Sequence, residues 1–155
     1  MMRMATRYKN QREDALAIVN NAFLKALMAL ETYNQKQAFF PWLRTIVIRQ
    51  AIDYFRSTAK LRLEEPCEDW AENPGNEVLN DVIPKIEVAH IEHAMAQLST
   101  EQRFVFNLFE MEGYSHEEIA EQLNCSVRSS KRYLNQAKST LQSLLAEYAP
   151  KKKAI

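Results

Sequence analysis

Apolar residues recur at three- and four-residue intervals along most of the chain, which is the spacing of helices rather than of strands. One apolar stripe runs through residues 13–31 and a second through 39–56, where Pro41 falls in the first helical turn and its missing N–H costs little. We expect these two helices to pack as an antiparallel pair. The residues expected to face inward are Leu16, Val19, Phe23, Ala26, Leu27 and Leu30 on the first helix, and Phe40, Leu43, Ile46, Val47, Ala51, Ile52 and Phe55 on the second.

Helix-start signals are concentrated in the C-terminal third. A helix is predicted from Pro84 to Leu98, a second over 100–112, a short third one from Ser115, and a long last one from Ser126 to Tyr148. Gly113 and Asn124 stand where left-handed backbone is needed between these helices. The start signals are two capping boxes and one simple N-cap: Ser99 with Gln102, Ser115 with Glu118, and Ser126.

Between the two helical parts lies a segment with three prolines, the Pro74-Gly75 turn signal and seven carboxylates between Glu64 and Asp81. Its composition is typical of a linker. We therefore predict an all-α protein of two small helical domains, residues 1–60 and 85–150, joined by an acidic linker at 61–84.

The net charge of zero conceals a segregation of sign along the chain. Residues 1–63 hold 11 Lys and Arg against 4 Asp and Glu, residues 64–126 hold 2 against 15, and residues 127–155 hold 7 against 1. Both basic ends can approach a polyanion that repels the middle. Each cluster taken alone is also compatible with an ordinary solvated helix face.

Composition excludes several classes of protein. No apolar run reaches the roughly 20 residues of a membrane span, and the N-terminus lacks the apolar core of a secretory signal, so we expect a cytoplasmic protein. Cys67 and Cys125 are far apart and outside any CxxC pattern, which predicts neither a disulfide nor a zinc site. We expect no cofactor and no enzymatic activity.

The segment SHEEIAEQLNCSVRSSKRYLNQA, residues 115–137, has the length and turn chemistry of a helix-turn-helix. Arg128 and Arg132 are the expected base readers, since arginine fits guanine O6 and N7, and Lys131 and Lys138 the expected phosphate contacts. Ser130 falls in the buried stripe, where its hydroxyl is expected to bond a carbonyl one turn back. A merely basic bundle helix is the competing interpretation. The residues predicted to meet DNA here are Arg128, Ser129, Lys131, Arg132, Tyr133 and Gln136.

Two segments together resemble one family, the extracytoplasmic-function (ECF) sigma factors of bacterial RNA polymerase. EGYSHEEIAEQLNCSVRSSKRYLNQAKSTL resembles the family's fourth region, which binds the upstream (minus-thirty-five) promoter element. REDALAIVNNAFLKALMAL with FFPWLRTIVIRQAIDYFR resembles its second region, which binds the polymerase clamp and opens the downstream (minus-ten) element. The resemblance covers nearly the whole chain and implies core RNA polymerase, promoter DNA and an anti-sigma factor as partners.

The resemblance also assigns residues of the N-terminal half. It implies polymerase contacts at Ala17, Asn20, Asn21 and Leu24, although the family usually has acidic or Gln side chains at the first three. The resemblance also implies that an unpaired strand is captured by the loop before the second helix and by that helix. The residues concerned are Tyr33, Asn34, Gln35, Arg44, Arg49 and Arg56. Arg49 stands where Asn is common, so specificity for the downstream element is expected to differ. For Phe40 and Trp42 we expect core packing, and Met1 is expected to be an internal start.

Two other functions fit parts of the sequence. A plain helix-turn-helix regulator that never opens DNA leaves the helix WLRTIVIRQAIDYFR unexplained. A metal-dependent hydrolase built on His90, Glu92, His93 and His116 has only an HxxH spacing to support it.

Overall fold

The computed structural model describes residues 1–9, 11–59, 88–146 and 148, and every regular element within these ranges is helical. A single 3₁₀ turn, Leu30–Thr32, follows the second helix, and a π-helical turn, Asn107–Met111, extends the fifth. None of these helices is both long and apolar enough to cross a bilayer. The helices are α1 Met2–Tyr8, α2 Arg12–Met28, α3 Phe39–Ala59, α4 Val88–Ala96, α5 Thr100–Phe106, α6 His116–Leu123 and α7 Val127–Ala146.

The predicted helix starts at Ser99, Ser115 and Ser126 are confirmed, whereas the one at Pro84 lies outside the described residues. Both capping boxes form, with the Ser99 and Ser115 hydroxyls accepting from the third backbone amide while Gln102 and Glu118 bond back to the cap. The Ser126 hydroxyl accepts from the amide of Ser129 at 3.0 Å. These bonds satisfy amides that a helix start otherwise leaves without partners.

The predicted inward face of the first long helix is wrong for four of its six residues, whereas Ala26 is buried as predicted and Val19 packs half-buried against the core. Helix α2 does pack against α1 and α3, but it does so through small residues and one isoleucine: Ala15, Ile18, Ala22 and Ala26. Small side chains let helix axes approach closely, so the larger residues lie on the other side of the helix. The residues exposed instead of buried are Leu16, Phe23, Leu27 and Leu30.

Helix α3 buries most of the stripe that its sequence predicts, from Leu43 to Phe55. Phe40 is the exception, because it is 80% exposed and only its edge contacts Phe39. The expectation of core packing for Phe40 is therefore wrong, whereas Trp42 is half-buried among aromatic neighbours. Phe40 lies in the first helical turn, where the chain has not yet reached the neighbouring helices.

The two halves of the chain share one apolar core. The ring of Phe104 on α5 lies between Tyr8 of α1 and Phe55 of α3, with centroid distances of 5.0 and 4.7 Å. Burial raises the pKa of the Tyr8 hydroxyl. The Asn107 side chain adds a polar link by donating to the carbonyl of Arg7 at 2.9 Å. The division into domains 1–60 and 85–150 stays a prediction, and the linker at 61–84 lies outside the described residues.

A second apolar cluster fastens α4 to the long last helix. Ala94 and Leu98 pack against Ala137 and Leu141 of α7. The buried guanidinium of Arg103 donates to the carbonyls of Met95, Ala96 and Leu98, at 2.9 to 3.1 Å, so the end of α4 is closed by an arginine from α5. Helices α4 and α5 thereby support the helix-turn-helix that α6 and α7 form.

Candidate nucleic-acid interface

The turn between α6 and α7 has the backbone that a helix-turn-helix requires. Asn124 ends α6 in left-handed conformation, with φ 53° and ψ 50°, and the next amide, of Cys125, donates to the carbonyl of Ala120 at 3.0 Å. Gly113, before α6, has φ 76°. Both predicted left-handed positions are confirmed, and the one at Asn124 sets the angle at which α7 leaves α6.

A polar pair inside this unit holds α6 against α7. Ser130 is fully buried, and its Oγ lies 2.9 Å from Nδ1 of His116, so the expected bond to a carbonyl one turn back is replaced by a bond between helices. The His116 ring stacks on Phe109 at 4.5 Å. The pKa of His116 is lowered, mainly by burial and then by the nearby positive charges of Lys131 and Lys138. The carboxylate of Glu117 acts in the opposite direction.

The outer face of α7 presents the predicted base-reading residues to different degrees. Arg128 and Lys131 are exposed. Arg132 lies over the ring of Tyr133 at 5.1 Å, and Tyr133 is half-buried against the core rather than turned fully outward. Ser129 is engaged with the Ser126 cap. Gln136 is half-buried, and Lys138, predicted to contact phosphate, forms an ion pair with Glu110 at 2.8 Å.

The loop before α3 is organised by aromatic contacts. Tyr33 packs against Trp42 at 4.8 Å and edge-on against Phe39 at 5.8 Å, and its hydroxyl donates to the carbonyl of Gln37. Asn34 accepts from the amide of Lys36 through Oδ1, at 3.0 Å, which fixes a local turn. Gln35 is exposed. Sequence reasoning missed that Phe40 stands exposed beside this cluster, as a surface on which a base can stack.

The three arginines predicted on α3 have different surroundings. Arg49 is exposed beside Lys25, Gln50 and Asp53 in an open groove of about 540 Å³. Arg44 donates from Nε to Oε2 of Glu112 at 2.8 Å and from Nη2 to the carbonyl of Met111 at 2.9 Å. The hydrogen bond to Glu112 raises the pKa of Arg44.

Arg56 is also engaged with the C-terminal half. Its Nε donates to the carbonyl of Gln122 at 2.6 Å, and its Nη2 donates to the carbonyl of Glu121 at 3.2 Å. Both carbonyls lie in the last turn of α6, the negative end of that helix. The structure therefore brings Arg44 and Arg56 to the helix-turn-helix rather than to the aromatic loop.

The residues predicted to bind polymerase lie together on one face of α2. Asn20, Asn21 and Leu24 are exposed and Ala17 is half-buried. Large apolar side chains that were expected to be buried point outward beside these residues, and Phe23 and Leu27 are each more than half exposed. This side of the helix is therefore hydrophobic. The amphipathic pattern alone could not show this, because both sides of α2 carry apolar residues.

The histidines do not form a metal site in the described part of the chain. His116 is bonded to Ser130, and His90 stacks on Tyr148 at 4.1 Å. Among the described residues no group of three or more His, Cys, Asp or Glu side chains is arranged to hold a metal ion. The metal-dependent hydrolase interpretation therefore has no geometric support.

Two family models match the two halves in the expected order. "Sigma-70 region 2" matches residues 1–61, and "Sigma-70, region 4" matches residues 90–141. The chain belongs to the sigma-70 family. The second region covers α1 to α3, and the fourth region begins in α4 and continues through α6 into α7, up to residue 141.

Individual bacterial sigma factors are similar to this chain over most of its length. The ECF RNA polymerase sigma-E factor of Haemophilus influenzae is 26% identical over 153 residues, covering 90% of this chain and 78% of the relative. The RNA polymerase sigma-H factor of Pseudomonas aeruginosa is 25% identical over 151 residues, covering 92% and 78%.

A solved structure shares the fold. The sigma factor RpoE from Bartonella quintana, crystallised in complex with the anti-sigma factor NepR, matches with a TM-score of 0.55 at 20% identity. The match covers 94% of this chain and 89% of that one. Because the identity is low, this likeness shows the sigma-factor fold alone.

Proposed function

We propose that this chain is an ECF sigma factor that binds core RNA polymerase and directs it to specific promoters. The observation that carries the proposal is the combination of a helix-turn-helix with a basic outer face and, on the other half, a helix that begins at an exposed aromatic cluster. A protein that only recognised duplex DNA would need the first of these features and not the second.

The helix-turn-helix half is suited to reading the upstream element as duplex. Arg128 and Lys131 are exposed in the first turns of α7, the part of a recognition helix that enters the major groove. Arg132 is held over Tyr133, which limits its rotamers before DNA arrives. We assign base reading to Arg128 and Arg132 and phosphate contact to Lys131.

The N-terminal half is suited to holding an unpaired strand of the downstream element. Phe40 offers an exposed ring, Tyr33 lies in the neighbouring aromatic cluster, and Arg49 adds an exposed cation in the groove lined by α2 and α3. Stacking on aromatic rings with nearby cations is how proteins bind single strands without close sequence readout. Arg44 and Arg56 are two further exposed cations on α3, although here they bond to the helix-turn-helix half.

Two protein partners complete the proposal. Core RNA polymerase is assigned to the outer face of α2 around Asn20, Asn21 and Leu24, and an anti-sigma factor is proposed as a regulator. Both act in the cytoplasm, where we place this protein.

Promoter opening separates this function from that of a plain helix-turn-helix regulator. The chain is mixed with core polymerase and supercoiled DNA carrying its own upstream region, and unpaired thymines are detected with permanganate. We expect reactivity near the downstream element only when the chain and core are both present. Binding to the duplex without any reactivity would favour the regulator.

A further inference from the structure

An open groove between α2 and α3 combines apolar and charged side chains. Met28, Ile46 and Ile52 give it apolar surface. Arg49 and Asp53 also line it, and both are exposed. Because they are four residues apart on α3, they lie on one face of the helix with about 5 to 6 Å between their Cβ atoms. Ligand sites commonly combine apolar surface with a few polar groups of fixed orientation.

The carboxylate of Asp53 is held in place through one of its two oxygens. Oδ2 accepts from Nζ of Lys25 at 3.3 Å and from Nε2 of Gln50 at 3.1 Å. Gln50 is buried, so it gives the carboxylate a firm anchor. Oδ1 takes part in neither bond and is therefore available to a donor in the groove. The charge of Lys25 also reduces the repulsion between this carboxylate and an approaching nucleic acid.

The guanidinium of Arg49 is the donor that stands beside this acceptor. No hydrogen bond or ion pair joins Arg49 to another side chain in the part of the chain that the structure describes. Arg44 and Arg56, by contrast, bond to the helix-turn-helix half. A planar guanidinium binds two neighbouring acceptors at once. The groove therefore offers a bidentate donor and, one helical turn away, a negatively charged acceptor.

Guanine is the nucleobase that satisfies both of these groups. Its O6 and N7 are neighbouring acceptors, which an arginine binds bidentately, and its N1–H and N2 amino groups are neighbouring donors, which a carboxylate accepts. Adenine and cytosine carry an amino donor where guanine has O6. Thymine offers only O4 to an arginine and only its N3–H to a carboxylate. The pair of groups in the groove thus discriminates for guanine.

We propose that this groove binds one unpaired guanine, with Arg49 on the O6 and N7 edge and Asp53 on the N1 and N2 edge. The strand of the downstream element supplies the base, so the inference rests on the proposed function. It names the base that the chain selects, and it adds Asp53 to the residues that hold the strand. The guanine must be unpaired, because base pairing in duplex DNA occupies its N1 and N2 groups.

Base analogues test each edge of the guanine while they leave ring stacking in place. The full chain is titrated into a fluorescent thymine strand with one central guanine, and binding is followed by anisotropy. The guanine is then replaced by 7-deazaguanine, which lacks the N7 acceptor, or by hypoxanthine, which lacks the N2 amino group. Each replacement should weaken binding about five- to tenfold, the effect of one lost hydrogen bond to a charged group.

Two substitutions connect each edge to its residue. Arg49→Gln should abolish the preference for guanine over 7-deazaguanine and keep the preference over hypoxanthine, and Asp53→Asn should do the reverse. Arg3→Gln removes an equal charge from an exposed position on α1, outside the groove, and should keep both preferences. Circular dichroism checks that each variant is folded. Survival of both preferences in Arg49→Gln or in Asp53→Asn would overturn the assignment of the two residues.

The guanine site and the proposed function fail in different ways. If the strand binds equally with any base at the central position, the guanine site is wrong, and the holding of a strand is unaffected. If the chain with core polymerase opens no promoter, the proposed function fails whatever the base preference. Guanosine monophosphate tests the source of the base. We expect no displacement of the guanine strand at micromolar nucleotide, and displacement there would contradict the strand as the source.

Discussion

His116 and Ser130 bind each other inside the helix-turn-helix, with Nδ1 and Oγ 2.9 Å apart. The serine is fully buried on α7 and the histidine begins α6, so one hydrogen bond joins the two helices beneath the DNA-facing surface. An apolar residue at position 130 would pack there without fixing this register. We therefore expect the packing of α7 against α6 to be sensitive to the charge on the imidazole.

The pH dependence of stability tests this relationship. Burial first, and then the charge of Lys131, lower the pKa of His116, so the unfolded chain binds this proton more readily than the folded one. The part of the free energy of unfolding that depends on neutral His116 is therefore complete above about pH 6.5, and it is lost as the pH falls below that value. We expect the melting temperature to fall from pH 7.5 to 5.5, and His116→Gln to reduce that fall.

His93→Gln is the matched control for this measurement, because His93 is exposed on α4. Its pH profile should follow that of the unaltered protein. An unchanged fall in the His116→Gln variant would mean that other groups set the acid sensitivity.

Asn124 should be replaceable by glycine but not by alanine. Its φ of 53° lies in the left-handed region, which costs a residue with a Cβ about 1 to 2 kcal/mol unless its side chain bonds locally. Asn124→Ala is expected to lower the free energy of unfolding by about 1 kcal/mol, and Asn124→Gly to leave it within a few tenths. Asn135→Ala, on the exposed side of α7, is the control and should not lower the free energy of unfolding measured by chemical denaturation.

Substitutions on α7 separate base reading from phosphate contact. Arg128→Ala and Arg132→Ala should each cost about 1 to 3 kcal/mol on the cognate upstream element and relax the preference at one base pair. Lys131→Ala should weaken all sequences alike and lower the salt slope by about one ion. Binding titrations against cognate and scrambled duplexes at two salt concentrations measure both effects. Equal losses on both duplexes would identify the arginines as phosphate contacts.

Local features were predictable from sequence because each depends on a few adjacent residues. The capping boxes at Ser99 and Ser115 and the left-handed Asn124 are set by side chains within three positions of the backbone they satisfy. The buried face of α2 was not predictable in this way. Its apolar residues surround most of the helix, and the choice of Ala22 over Phe23 depends on how closely α1 and α3 approach.

The partners of polar groups were the least predictable part of the site. Arg44 and Glu112 are 68 residues apart in sequence, and Arg56 and Gln122 are 66 apart. No periodicity of one helix encodes such a pairing. The partner of Ser130, His116, was unpredictable for the same reason, because along the chain the nearest candidate was a backbone carbonyl one turn back.

Association with core RNA polymerase tests the central claim most directly. The purified full chain is mixed with core enzyme lacking any sigma factor, and the mixture is resolved by size-exclusion chromatography. We expect one chain to co-elute with each core, and Leu24→Arg to weaken this association at least tenfold, because the change places a charge on the exposed face of α2. Asn135→Arg, on the exposed side of α7, serves as the control and should bind as the unaltered chain does. Failure of the unaltered chain to co-elute with core at micromolar concentration would contradict the assignment of this protein as a sigma factor.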